Sequence, residues 1–437
     1  MIKNRLMPGS LSMARLTQKK LANIAFVLFY SIDLLRMLFS FVLGISFSSP
    51  IAVILSTIVA YIPLFLLFLL FPKTKKIDSI LLLLGVCIFF LFTYLLHPEY
   101  EYWYAREGHG AWDYVLRPNN GIYIYVFVRT INDPEEIKKC LKPVALISLL
   151  FNGLRFFQAF QRGYWIVNDS SGIARQMSYN LTAGYELLFP TIIFLFFFFD
   201  EKKKRYFLLA CVGLILILTG GSRGPLISLF IFLSIIFLRK TEFRGKVFWI
   251  SLGALLALLF FLIGYRQIAE FILGLLERMS IRSRTLQMML TGEISNENGR
   301  ERIYAAAIEM IKQRPILGYG AMGDRHIISA IHYVGHCHNF FLEIMVNIGV
   351  VLGLPLIAFL FYHAVRIIVF SKDREWSDVF IIFFCTSCQL LTSLTFWHVD
   401  APWAALAVGV CYYAAVKKNK RVKREERLNG YVGIENQ

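Results

Sequence analysis

The sequence predicts an all-α, polytopic integral membrane protein with about 12 transmembrane helices and a partly helical extracytoplasmic loop. Three observations predict this. Of 437 residues, 57% are hydrophobic and 16% aromatic, against about 45–50% apolar in ordinary soluble domains. The mean hydropathy of +0.58 is concentrated in runs close to the roughly 20 residues that cross a bilayer. Lys and Arg gather in short clusters between those runs, the pattern that sets membrane orientation. The formal net charge of +17 is therefore read as a topology signal. Membrane lipids, and no nucleic acid, are the expected partners of these charges.

Taken in order, the expected spans are 21–45, 50–71, 77–97, 117–131, 141–160, 181–199, 206–220, 224–238, 247–264, 340–362, 378–398 and 401–416. Asp33 and Arg36 sit one helical turn apart inside the first. A paired charge at membrane depth usually faces protein or a cavity. Arg117, Asn119 and Asn120 crowd the start of the fourth, which makes it the weakest. The division is residues 1–264 for helices one to nine, 265–339 for the extracytoplasmic loop, 340–416 for helices ten to twelve, and 417–437 for a basic cytoplasmic tail. The Lys417–Arg424 cluster is placed inside, and counting back puts Arg239–Lys246, Lys202–Arg205, Lys73–Lys76 and the N-terminal Lys and Arg residues inside too. Both termini are then cytoplasmic. No cleavable signal peptide is expected, because the first apolar run follows about twenty mixed residues and is long enough to span. Cys385-Thr-Ser-Cys388 has redox or zinc spacing but lies within an apolar run, where helix packing is the expected role.

Three polar places fall on the predicted outer face. Thr219-Gly-Gly-Ser222-Arg223-Gly224 is a tight connection between two apolar runs. Its glycines permit close backbone approach. Arg223 would clamp an anion there or snorkel to lipid phosphates, and spacing does not choose. The segment Asn298-Gly299-Arg300-Glu301-Arg302-Ile303 opens a helix whose apolar positions Ile303, Ala307, Met310 and Ile311 repeat at helical spacing. Arg300 in its first turn is poorly placed for a cation unless an anion binds beside it. The alternative is that Arg300 and Arg302 are solvated or pair with Glu297 and Glu301. His336-Cys337-His338-Asn339 precedes an apolar helix whose free N–H groups favour negative charge. A neutral imidazole at His338 has the proton affinity of a general base, or is an interfacial histidine with no chemistry. A metal on His326, His332, His336 and His338 is disfavoured by their irregular spacing. Two arginines and a helix start suit a diphosphate, with a base alongside.

These motifs resemble the O-antigen ligase and polysaccharide polymerase superfamily of bacterial membrane glycosyltransferases. The resemblance rests on Thr219-Gly-Gly-Ser-Arg223-Gly, Asn298-Gly299-Arg300, Arg314-Pro-Ile-Leu-Gly-Tyr-Gly320, and His338-Asn-Phe-Phe-Leu-Glu343 with Gly349. It implies transfer of a glycan from undecaprenyl diphosphate to an acceptor hydroxyl at the outer face of the cytoplasmic membrane. It implies inversion at the anomeric centre, with no metal and no cofactor. Arg223 and Arg300 would hold the diphosphate, with Arg302 a rival for Arg300, and His338 would activate the acceptor. Ser222, Asn339, Glu343 and Arg325 would support them. The acceptor would be a glycan or lipid A core, with a chain-length regulator and a flippase as further partners. The segment from Gly323-Asp324-Arg325 to Tyr333 and His338 looks more like the polymerases than the ligases. The competing class is a transporter of lipid-linked sugars, which predicts two related halves with interrupted helices. No half-to-half similarity is visible in the sequence.

Overall fold

The computed structural model describes residues 8–168, 174–177, 180–220, 224–240, 270, 273–274, 290, 300–332 and 335–432. The apolar runs become helices. α1 (Pro8–Tyr30) and α2 (Ile32–Leu43) meet at 69°. The break falls at Ser31, whose Oγ turns back to donate to the Val27 carbonyl at 2.7 Å. α3 (Pro50–Leu70) and α4 (Ile77–Leu96) follow. The short α5 (Glu101–Ala105) and α6 (Ile124–Ile131) lead to α7 (Pro134–Arg162). Pro134 occupies the first position of α7, and Asp133 caps it by accepting from Glu135 N at 3.1 Å. An antiparallel hairpin, β1 (Trp165–Asn168) and β2 (Ala174–Met177), pairs Trp165 with Met177.

α8 (Leu181–Glu186), α9 (Leu188–Glu201), α10 (Lys204–Gly220) and α11 (Gly224–Lys240) complete the first half. The second half holds α12 (Arg300–Gln313), the turn-long α13 (Arg325–Ile328), α14 (Phe340–Val369), α15 (Arg374–Ser387) and α16 (Asp400–Val432). Phe26, Phe127, Phe194, Phe196, Phe232 and Phe383 are fully buried where the helices meet. Phe41, Phe65, Phe230 and Phe361 stand 66–86% exposed on the outside. Large apolar side chains turned outward on long helices identify a membrane protein, since lipid is the solvent that tolerates them.

Five helices among the described residues are long and apolar enough to cross a bilayer, or six with the bent α1–α2 pair as one span. The twelve expected are not reached among them, for local reasons. In 117–131 a 3-10 turn at Gly121–Tyr123 precedes the eight-residue α6, which covers only about 12 Å. A Cβ at Gly121 would sit 2.5 Å from Asp400 N, so this turn is pressed against the start of α16. Arg129 on α6 is only 7% exposed and donates through Nη2 to Asp78 at 3.0 Å and through Nη1 to Cys411 Sγ at 3.1 Å. α10 and α11 have 17 residues each, about 26 Å. The expected helix 378–398 stops at Ser387 and gives way to the turn Cys388–Leu391. Residues 247–264 lie outside the described residues.

α14 is interrupted at Gly349, where φ is 76° and ψ is 169°. The opened carbonyls of Val346 and Asn347 accept from Tyr319 N and Gly320 N, each at 2.8 Å. In return Val350 N donates to Pro315 O at 2.7 Å. The Arg314–Gly320 motif is thus backbone-paired into a helix break. A Cβ at Gly349 would lie 2.3 Å from Ile316 O. Gly349→Ala is expected to cost ~2–5 kcal/mol from the left-handed φ and the clash combined. Gly85→Ala, where a Cβ meets nothing within 4 Å, should be neutral or stabilising by up to about 1 kcal/mol. Thermal midpoints of the two purified variants check this.

Candidate functional site

The loop from Gly335 to Asn339 is built on a buried ion pair. Asp324 is 0% and Arg325 3% exposed. Asp324 Oδ2 accepts from Arg325 Nη1 at 3.2 Å and from Cys337 N at 3.2 Å, with Cys337 Sγ at 3.5 Å. Burial pushes the Asp324 carboxyl up, and Arg325 beside it opposes that push. Cys337 lies in a small core with Ile303, Ala307 and Met310 of α12, Tyr319, Ile328 and Val346. That core sets α12 against the loop. His338 then takes a left-handed backbone, φ 52°, a region open to histidine at modest cost. Its ring lies 4.0 Å from His336 and 5.1 Å from His332, centroid to centroid.

Electrostatics define the relation of His338 to the arginines. Burial, then His332, Arg300 and Arg325, lower its pKa to about 3. His332 is lowered by burial and by Arg300. Arg300, half-buried at the first position of α12, is therefore near enough for its charge to act on both rings. Arg302 is exposed and is not among the charges that act on His338. The structure brings Arg300, Arg325 and His338 together and leaves Arg302 on the surface. Arg223 and Ser222 lie outside the described residues, as do Tyr333, Glu297, Asn298 and Gly299. Gly224, the first residue of α11, is described. A Cβ there would sit 2.3 Å from Tyr185 Oη and 2.5 Å from Thr392 Oγ1.

The start of α14 differs from expectation. Asn339 Oδ1 accepts from Phe341 N at 3.0 Å and from Leu342 N at 3.2 Å. Two of the N–H groups expected to face an anion are taken by this cap. The helix dipole still favours negative charge there, with fewer free N–H groups than expected. Asn339 Nδ2 donates to Leu391 O at 3.1 Å, so the cap also ties the loop to the turn beside Thr392. One turn along, fully buried Glu343 accepts from Thr395 Oγ1. Asn339 and Glu343 thus hold the loop and helix in place. Asp324 was given no role by sequence, and its only signal was adjacency to Arg325. The Glu343–Thr395 contact joins residues 52 apart and had none. Among the described residues, no group of three or more His, Cys, Asp or Glu is arranged to hold a metal ion.

What this arrangement offers chemically is a neutral imidazole beside a guanidinium, fixed by a buried ion pair at the mouth of a spanning helix. Residues 206–360 match the family model described as O-antigen ligase. The matched stretch contains Arg223, Arg300, Arg302, Arg325, His338, Asn339 and Glu343. No curated protein matches the sequence.

The depressed histidines make stability depend on pH. His338 is lowered to about 3, and His336, fully enclosed, well below its usual 6.5, burial being the largest cause for each. The unfolded chain binds more protons than the folded one below about pH 6.5, so their contribution is complete above that value and lost as pH falls through it. The thermal midpoint is expected to drop between pH 7 and pH 5. His336→Phe should drop less over the same interval. A pH series of unfolding scans on both proteins measures the difference.

Proposed function

We propose that this member of the O-antigen ligase and polymerase superfamily moves a glycan from undecaprenyl diphosphate to an acceptor sugar hydroxyl, and that it acts as a polysaccharide polymerase. The observation that carries the reading is the shielded His338 imidazole, beside His336 and His332 and within the field of Arg300. The acceptor oxygen attacks the anomeric carbon of the donor while His338 takes the hydroxyl proton. The new C–O bond forms as the bond to the diphosphate oxygen breaks on the opposite face, so the anomeric centre inverts. The undecaprenyl diphosphate leaves with the bonding electron pair. Arg300, with Arg223, stabilises the charge it gains. The proton on His338 is then released to solvent. No metal is required, because the arginines supply the positive charge.

The field at His338 suits this order of events. Arg300 and Arg325 both lower its pKa, so the free site holds a weak base. A bound diphosphate offsets those positive charges and raises the basicity of the imidazole. Donor binding thereby arms the base. The basic clusters support an extracytoplasmic site in the cytoplasmic membrane with both termini inside. Polymerisation is favoured by the likeness of the Gly323–His338 segment to polymerases. Transfer to lipid A core is the second reading, favoured by the description of the matching family model.

In transfer from purified lipid-diphosphate glycan, with chelator present, His338→Ala should lower kcat by roughly 10²–10⁴ while donor binding persists. Elongation of the lipid-linked glycan with no added lipid A core favours the polymerase, and a strict need for core favours the ligase. Wild-type activity abolished by chelator and restored by one metal would sink the mechanism. Arg300→Gln removes a charge that lowers His338, so the acid limb of kcat/KM should move to higher pH. Arg302→Gln, exposed and outside that field, should leave the limb in place. The pH–rate profiles of the two variants decide between the arginines.

A further inference from the structure

Four ionisable side chains at the same end of the bundle have no part in the transfer as described. Asp33 and Arg36, just past the α1–α2 break, pair at 3.2 Å. Arg155 of α7 donates to Glu186 at the end of α8, and also to Asn152 Oδ1 at 3.2 Å. These pairs are not sealed in the core. The Asp33 side chain is 59% exposed, and Arg155 and Glu186 are 31% and 34% exposed. Inside a spanning bundle, exposure means contact with lipid or with an aqueous recess. Ionised groups avoid lipid and face the bundle interior or water. The pairs therefore border a polar recess, at a helix break of the kind that marks ligand sites in membrane bundles.

The residues bordering the recess are linked to the site in two ways. Tyr185, next to Glu186, is the residue against which Gly224 of α11 is pressed. Asp33 is an electrostatic neighbour of both Glu186 and His398. The His398 ring lies 4.9 Å from Tyr114, over which Arg325 is placed at 5.9 Å. Packing and charge thus link the pairs to the start of α11 and, through His398 and Tyr114, to the ion pair beneath the His338 loop. Two guanidinium groups and two carboxylates give it no net charge. A diphosphate needs an excess of cations. A sugar needs both kinds of partner, since each hydroxyl donates to a carboxylate and accepts from a guanidinium.

We propose that the recess bordered by Asp33, Arg36, Arg155 and Glu186 binds the acceptor glycan through its hydroxyls and presents one of them to His338. The assignment of the glycan as acceptor rests on the transferase reading above, whereas its binding does not. In-line displacement places the acceptor opposite the diphosphate, and the uncharged recess is the part of the site unsuited to that anion.

The test uses the purified full chain and two probes. Inorganic pyrophosphate reports the cationic side, and a lipid-free oligosaccharide repeat released from the producing strain's polysaccharide reports the recess. Exchanging the pair, Arg155→Glu with Glu186→Arg, keeps the ion pair but reverses the pattern offered to hydroxyls. The exchanged protein is expected to keep its thermal midpoint and its pyrophosphate affinity, and to lose about tenfold in oligosaccharide affinity. Oligosaccharide binding within twofold of wild type in the folded exchanged protein overturns the proposal, because a purely structural pair tolerates exchange. Wild type that binds pyrophosphate but no oligosaccharide overturns it as well. If the exchanged protein fails to fold, Asp33→Asn decides, since that carboxylate is mostly exposed. A severalfold loss supports the recess, and unchanged affinity overturns it. Wild type that binds oligosaccharide but not pyrophosphate supports the recess and removes the transferase reading instead.

Discussion

The site depends on an exchange of backbone hydrogen bonds between a loop and a broken helix. α14 opens at Gly349, and Tyr319, Gly320 and Val350 close the gap with the segment after α12. A membrane helix does not release carbonyls into lipid, because nothing there accepts the cost. The break is therefore stable only while the Pro315–Gly320 segment fills it. That segment leads directly to Asp324, and Asp324 holds Cys337. The position of His338 follows from a pairing two turns deeper in the same helix that it precedes.

Polar groups are then arranged by how much water each is permitted. The Asp324–Arg325 pair is sealed, and burying one partner alone would leave an uncompensated charge. The histidines above it are shielded enough to stay neutral. The Arg155–Glu186 and Asp33–Arg36 pairs remain accessible. This gradation separates anchoring charges from those able to meet a ligand. Arg302, two residues from Arg300, is exposed and is not among the charges that set the field at His338.

Hydropathy made the helical class and most long spans readable, since runs such as 50–71 and 340–362 exceed any alternative use of so many apolar residues. It misled where backbone pairing outranks hydropathy, as at 117–131 and beyond Ser387. Arg300 and His338 drew attention in the sequence because they lie at or just before a helix start, where a cation or an imidazole is unusual enough to need a reason. Asn339 was legible as a neighbour but not as a cap that consumes the N–H groups beside it. Asp324, Tyr114 and Thr395 act across long sequence separations, and no local periodicity records such contacts. The Asp33–Arg36 pair was visible from spacing alone, whereas its neighbour Arg155 gained meaning only once α7 and α8 were seen together.

α16 runs without interruption from Asp400 to Val432, 33 residues, or about 50 Å. That length exceeds the roughly 30 Å of a hydrocarbon core, yet α16 is not among the five helices apolar enough to cross one. Its later turns carry exposed Lys417, Lys418, Lys420 and Arg421. Because one unbroken helix carries them, these four charges keep a fixed spacing within a rise of about 6 Å.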